Sequence, residues 1–170
     1  ASDVYKRQGY PFPSFVTMKK GFHWILEGET FKLCVMYRTL VFGADGRVGS
    51  RLATYLEEHG LEVVKCGRGF CDLKDLSALK RVLLSSGATH VVNCAAVSGL
   101  EACLDDPETA HRVNAMAPEM MARICCLEGM RFIHLSTDYV LDGRRRCLKT
   151  EEGKCRPVNV YGESKLEAEF

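Results

Sequence analysis

The run Arg38 to Ser50, RTLVFGADGRVGS, constrains this chain more than any other stretch. Thr39 to Phe42 is apolar with strand character, and Gly43, Gly46 and Gly49 follow at three-residue spacing. A helix-like pattern begins directly after them. A strand that turns through glycines into a helix is built to hold a phosphate. The glycines let the backbone turn tightly and approach a ligand, and the N–H groups of the first helical turn donate to an anion. The spacing G-x-x-G-x-x-G differs from the G-x-G-x-x-G of the most familiar dinucleotide sites. Glycine is common in any loop, so the triplet argues for a nucleotide only if the rest of the chain supplies what such a turn needs.

With 170 residues, 46% hydrophobic content and a formal charge of +1, the chain can form one globular domain with a real core. Near-neutral charge gives no general electrostatic case for nucleic acid or an anionic membrane. No apolar run approaches the ~20 residues that span a bilayer. The nine cysteines show no C-x-x-C spacing and the five histidines form no ligand pattern with them, so no metal site is expected. Cys66, Cys94, Cys125 and Cys126 lie within apolar runs, where free Cys acts as a small hydrophobe. An odd cysteine count favours a reducing cytosol over a disulfide framework, and the expectation is a soluble cytoplasmic protein.

Residues 1–35 fit none of this pattern. Asp3 to Gln8, DVYKRQ, resembles the translation of a transposase mosaic-end adaptor. Gly9 to Cys34 mixes prolines, aromatics and the pair Lys19-Lys20 without a sustained period. Met36 stands two residues before the first strand. The expectation is a non-native or untranslated leader over 1–35 and a Rossmann-type domain over 36–170. The alternative is a genuine extension with a β-hairpin around Gly28. The helix-like run Ser164 to Phe170 carries no stop signal, so the domain is expected to be truncated at its C-terminus, without its substrate lobe.

Between these ends, strands and helices alternate. Val48, Leu52, Tyr55 and Leu56 recur at helical spacing up to Gly60, and Leu61 to Cys66 is the second strand. Asp75 can cap a helix carrying Leu76, Leu79, Val82 and Leu83 that closes at Gly87. His90 to Ala96 is a nearly all-apolar strand. Asp106-Pro107-Glu108 starts a helix expected to run to Gly129 with a kink near Pro118, and Met130 to Ser136 is the next strand. This alternation predicts an α/β fold, a Rossmann-type doubly wound parallel sheet with right-handed crossovers. The basic triplet Arg144 to Arg146 reads as a solvated loop rather than a nucleic-acid contact.

Tyr161 and Lys165 in YGESK stand four residues apart, one above the other on a helix face. A carbonyl reductase needs a group that protonates the alkoxide formed by hydride delivery. A tyrosine with a pKa of about 10 does this poorly unless a nearby cation stabilises its phenolate. Lys165 is placed to do so, and a hydroxyl at Thr137 can orient the substrate oxygen.

In combination, GADGRVG, NCAA (Asn93 to Ala96), STDYV (Ser136 to Val140) and PVNVYGESKLEAE (Pro157 to Glu169) resemble the extended short-chain dehydrogenase/reductases. The nearest branch is the dTDP-4-dehydrorhamnose reductase group, which is also similar to the regulatory β-subunit of methionine adenosyltransferase. The resemblance covers Met36 to Phe170. It implies that Thr137, Tyr161 and Lys165 are the catalytic hydroxyl, the general acid and the ribose-binding, pKa-lowering lysine. It implies that Gly43, Gly46 and Gly49, with Arg47 and Val48, form the pyrophosphate turn. Asp72 would hydrogen-bond the adenine, Leu73 would belong to the same cofactor site, Ala95 and Ala96 would pack beside the cofactor, and Asn114 would lie on a helix near the active site. The chain departs from the pattern at Asp45, where Thr is usual, and at Cys94, where Ala is usual.

The implied partners are a nicotinamide cofactor, NADP(H) with NAD(H) as the alternative, and a nucleotide-sugar substrate. Nothing in the sequence excludes a homo-oligomer. Glu62, the acid of the second strand, lies at its wrong end for the ribose, while Arg68 just beyond the strand offers a fork of donors to a 2′-phosphate. The expected function is NADPH-dependent reduction of a nucleotide-activated 4-keto sugar. The alternatives are an epimerase or dehydratase of the same fold, or a non-catalytic NADP-binding regulatory subunit.

Overall fold

Strand β3 (Arg38–Phe42) is the axis of the molecule, and every residue from Thr39 to Phe42 is buried. Such a run needs cover on both faces of its sheet. The computed structural model describes residues 22–27, 30–35, 37–143 and 153–170. In it β3 is flanked by β4 (Glu62–Cys66) and β5 (His90–Asn93), and β6 (Arg131–His134) lies beyond β5, all parallel. The order β4-β3-β5-β6 means that the chain leaves β3 in one direction and then crosses back over it. This reversal opens a crevice at the carboxyl ends of β3 and β5, where doubly wound sheets bind ligands. The expected α/β Rossmann-type parallel sheet is the one observed.

Helix α1 (Arg47–Glu58) packs on β3 and β4, while α2 (Leu76–Ser85) packs with α5 (Ala117–Glu128). Leu40, Phe42, Val91, Leu79, Leu83 and Met121 form the centre of the core. The end signals act as read. The Asp75 carboxylate accepts from the N–H groups of Ser77 and Ala78, each at 2.9 Å, and the Asp106 carboxylate accepts from Thr109 at 3.0 Å to start α4 (Pro107–His111). Gly129 closes α5 in the left-handed conformation, with φ 68°.

Several features differ from expectation: the strand read over His90 to Ala96 ends at Asn93, and the one read over Met130 to Ser136 spans only Arg131–His134. A short helix α3 (Leu100–Asp105) precedes α4, too brief for a period to show in sequence. The helix expected from Asp106 to Gly129 is broken by a π-helical turn, Arg112–Met116, between α4 and α5. Pro118 has no N–H to give, and its ring crowds the carbonyl of residue 114, so the ladder widens just before it. That turn rotates Asn114 into the interior, where it is fully buried.

Strands β1 (Phe22–Glu27) and β2 (Thr30–Val35) pair antiparallel as a separate two-stranded sheet. The pairing flanks Gly28, where the alternative reading of residues 1–35 put a β-hairpin; among the described residues it shares no strand pairing with the four-stranded sheet. Cys66, Cys71, Cys94, Cys103, Cys125, Cys126 and Cys155 are free. Burial pushes the Cys66 and Cys125 thiols up to about 12 and about 11. Cys126 corrects the sequence reading: one residue further round α5, it is exposed rather than packed. Arg144 to Arg146 lie outside the described residues. Among those described, no helix is long and apolar enough to cross a membrane.

Candidate functional site

The site begins where β3 ends. Gly43 has φ +73°, a conformation that favours glycine, and its N–H donates to the Cys66 carbonyl at 2.8 Å. A Cβ here would stand 2.7 Å from the Ala95 nitrogen, so the segment after β5 passes directly over the turn. Gly46 is the N-cap of α1 and its N–H donates to the Gly43 carbonyl at 2.9 Å. At Gly49 a Cβ would land on that same carbonyl, 2.7 Å from its carbon. The first turn of α1 has neither a side-chain cap nor an acid, and it opens with the exposed Arg47 and Val48. Its N–H groups remain for an anion, and a dinucleotide pyrophosphate fits a cradle that Cβ groups would fill.

On the β4 side, the exposed Arg68 donates its backbone N–H to the Asp45 carboxylate at 3.0 Å. Asp72 accepts from the Lys74 N–H at 3.0 Å and so caps a local turn. The Leu73 side chain is buried in the core, which leaves its backbone as the part that can meet a ligand.

Across the crevice, a polar relay crosses the sheet ends. The Asn93 side-chain oxygen accepts from the Ala95 N–H at 3.0 Å, which turns its amide nitrogen to His134 Nδ1 at 3.1 Å. With the imidazole accepting at Nδ1, its single N–H would be at Nε2, facing Lys165 Nζ at 2.7 Å. Lys165 is 2% exposed and donates to the Leu135 carbonyl at 2.6 Å. This arrangement is complete with Lys165 as the free amine; a Lys165 ammonium requires the other tautomer of His134. Burial lowers Lys165 to about 8, the Glu169 carboxylate opposing it, and burial and the adjacent Lys165 charge lower His134 to about 4.

Lys165 lies on α6 (Val160–Glu167), whose N-cap Asn159 accepts from the Gly162 N–H at 2.8 Å. A Cβ on Gly162 would land on the Tyr139 carbonyl, so glycine lets α6 press against the 3-10 turn Asp138–Val140. Tyr161 therefore packs edge-on against Tyr139, with ring centroids 5.7 Å apart. Thr137 caps that 3-10 turn, its hydroxyl accepting from the Tyr139 N–H at 3.3 Å. Asn114 clamps the helix from behind. It bonds both the N–H and the carbonyl of Val97, each at 2.9 Å, and donates to the Ser164 hydroxyl at 3.0 Å. With these partners Asn114 positions the site from within the core.

The structure thus brings Gly43, Ala95, Thr137, Tyr161 and Lys165 to one end of the sheet, with Ala96 half-buried beside them. It turns Lys165 towards β6; among the described residues its bonds go to His134 and Leu135, none to the Tyr161 phenol.

The family model described as the RmlD substrate binding domain matches residues 37–170. The chain belongs to that family. A dTDP-4-dehydrorhamnose reductase of Mycolicibacterium smegmatis is 36% identical over 133 residues, covering 78% of this chain and 40% of that protein. A dTDP-4-dehydrorhamnose reductase of Bacillus anthracis, solved in complex with NADP, aligns with a TM-score of 0.74 at 26% identity, over 78% of this chain and 48% of that one. A UDP-glucose 4-epimerase of Thermus thermophilus, solved with NAD, aligns with a TM-score of 0.67 at 27% identity, again over 78% and 48%. This RmlD-family chain spans under half the length of each of these proteins.

In the RmlD-family domain the sequence reading passed over Asn93, His134 and Ser164. His134 lies in the partly exposed β6; Asn93 is the polar residue of the apolar run VVNCAA, and a polar group in such a buried strand needs a partner. That was the available signal.

Proposed function

We propose that this chain is the cofactor-binding part of an NADPH-dependent reductase of a nucleotide-activated 4-keto sugar, dTDP-4-dehydrorhamnose reductase-like. The observation that carries this reading is the continuous line of contacts from Gly43 through Ala95, Asn93 and His134 to Lys165. It ties a phosphate-shaped turn to a buried lysine one helical turn beyond a tyrosine. The names of the relatives support the substrate class.

The glycine turn holds the pyrophosphate through backbone N–H groups, and Arg68 offers donors to a 2′-phosphate. A bound nicotinamide nucleotide supplies the hydride. Tyr161 gives its phenolic proton to the substrate oxygen, and Lys165, as the ammonium, stabilises the phenolate left behind and donates to the ribose. Thr137 orients the substrate oxygen. An epimerase would use the same tyrosine and lysine, a reading favoured by the likeness to the Thermus enzyme. The experiment is to supply the full-length protein with NADPH and a dTDP-4-keto-6-deoxy sugar and to identify the product. Stoichiometric NADPH oxidation with a 4-hydroxy product supports the reductase. A rearranged sugar without net NADPH consumption supports the epimerase, and no turnover with intact cofactor binding supports the regulatory alternative.

A further inference from the structure

We propose that Asp45 offsets the NADPH preference that Arg68 gives this site, accepting from the ribose 2′-hydroxyl of NADH and repelling the 2′-phosphate of NADPH. This rests on the dinucleotide reading of the glycine turn. Sites that take NAD carry an Asp or Glu at the end of the second strand for that hydroxyl. Here β4 ends at Cys66 and the next residue, Gly67, has no side chain. A Cβ built on Gly67 lands on the Asp45 carboxylate. The Arg68 N–H donates to the same carboxylate at 3.0 Å. The acid that β4 lacks is therefore delivered from the glycine turn, into the volume a strand-end side chain would fill.

Lys65 and Arg68 flank Cys66 and Gly67 in the chain. Lys65 is engaged with Glu57 at 2.8 Å. Arg68 is exposed and free to meet a 2′-phosphate, but the Asp45 carboxylate sits against its backbone. The two side chains pull the selectivity in opposite directions, so both cofactors are accepted. Arg68 read alone predicts NADPH; with Asp45 beside it, the preference shrinks to within about tenfold, the scale of one solvent-exposed, screened charge contact.

The test is titration of the full-length protein with NADH and with NADPH, followed by nucleotide fluorescence at fixed salt. Asp45→Asn keeps a side-chain oxygen for the Arg68 N–H and removes only the charge; Asp45→Thr is the second variant should the first fail to fold. In the unmutated protein the two affinities should agree within about tenfold. Either variant should shift their ratio about tenfold towards NADPH, mainly by tighter NADPH binding. Arg68→Ala should weaken NADPH and leave NADH unchanged. Binding of both nucleotides with a ratio untouched by the Asp45 variants would overturn the role of Asp45 and leave the dinucleotide site standing. Failure of the unmutated protein to bind either nucleotide would overturn both.

Discussion

Lys165 is a cationic side chain carried into the interior, and its surroundings decide what it can do. Its Nζ meets an imidazole and a carbonyl, and the imidazole is kept neutral by burial and by the lysine itself. This makes a pH prediction with a definite sign. His134 is held down to about 4, against an ordinary 6.5, so between those values the unfolded chain takes up a proton that the folded chain refuses. Stability should fall as pH drops from about 6.5 towards 4. Lys165, held down to about 8 from 10.5, acts in the same sense at the alkaline end: stability should rise from pH 8 towards 10.5. Melting temperature against pH reads both limbs. In His134→Gln, which cannot titrate, the slope between 6.5 and 4 should shrink, leaving the part from His90, which burial also holds down; an unchanged slope would remove His134 from the account. Tyr161 and Lys165 were legible in sequence because their spacing is local. The lysine's partner was not, because His134 lies 31 residues away and meets it only after β6 joins the sheet.

At the scale of the element, the π-helical turn Arg112–Met116 matters most for the site. It turns Asn114 inward, and Asn114 ties the loop after β5 to the helix that bears Tyr161. Asn114→Ala would strand the Val97 N–H and leave the Val97 carbonyl with the Cys103 thiol at 3.2 Å, a loss of about 1–3 kcal/mol for the stranded N–H. The expected result is a lower denaturation midpoint and a weaker catalytic rate, measured on the same preparation. Stability within error of the unmutated protein would show that the clamp is dispensable. Helix caps at Asp75, Asp106 and Gly129 could be read directly, since a cap is written in two or three adjacent residues. The π turn could not. Pro118 signals a break, but whether the chain kinks, ends or widens depends on what the freed groups meet.

For the whole molecule, the sheet order and the crevice at its switch point follow from the alternation of strands and helices, and that much the sequence carries. The family model begins at residue 37, and the β1–β2 hairpin forms a sheet of its own. We therefore expect that the full-length protein started at Met36 keeps the melting temperature and NADPH affinity of the longer form. A large loss in either would make the hairpin a working part of the fold. The central claim concerns Tyr161, placed by Asn159 and Gly162 against the STDYV turn and one helical turn before the buried lysine. Proton donation by such a group is worth about 10²–10⁴ in rate. The direct test is the keto-sugar reduction rate of full-length Tyr161→Phe beside its NADPH affinity. The account predicts a rate lower by about that factor with affinity nearly unchanged; near-normal turnover would contradict it.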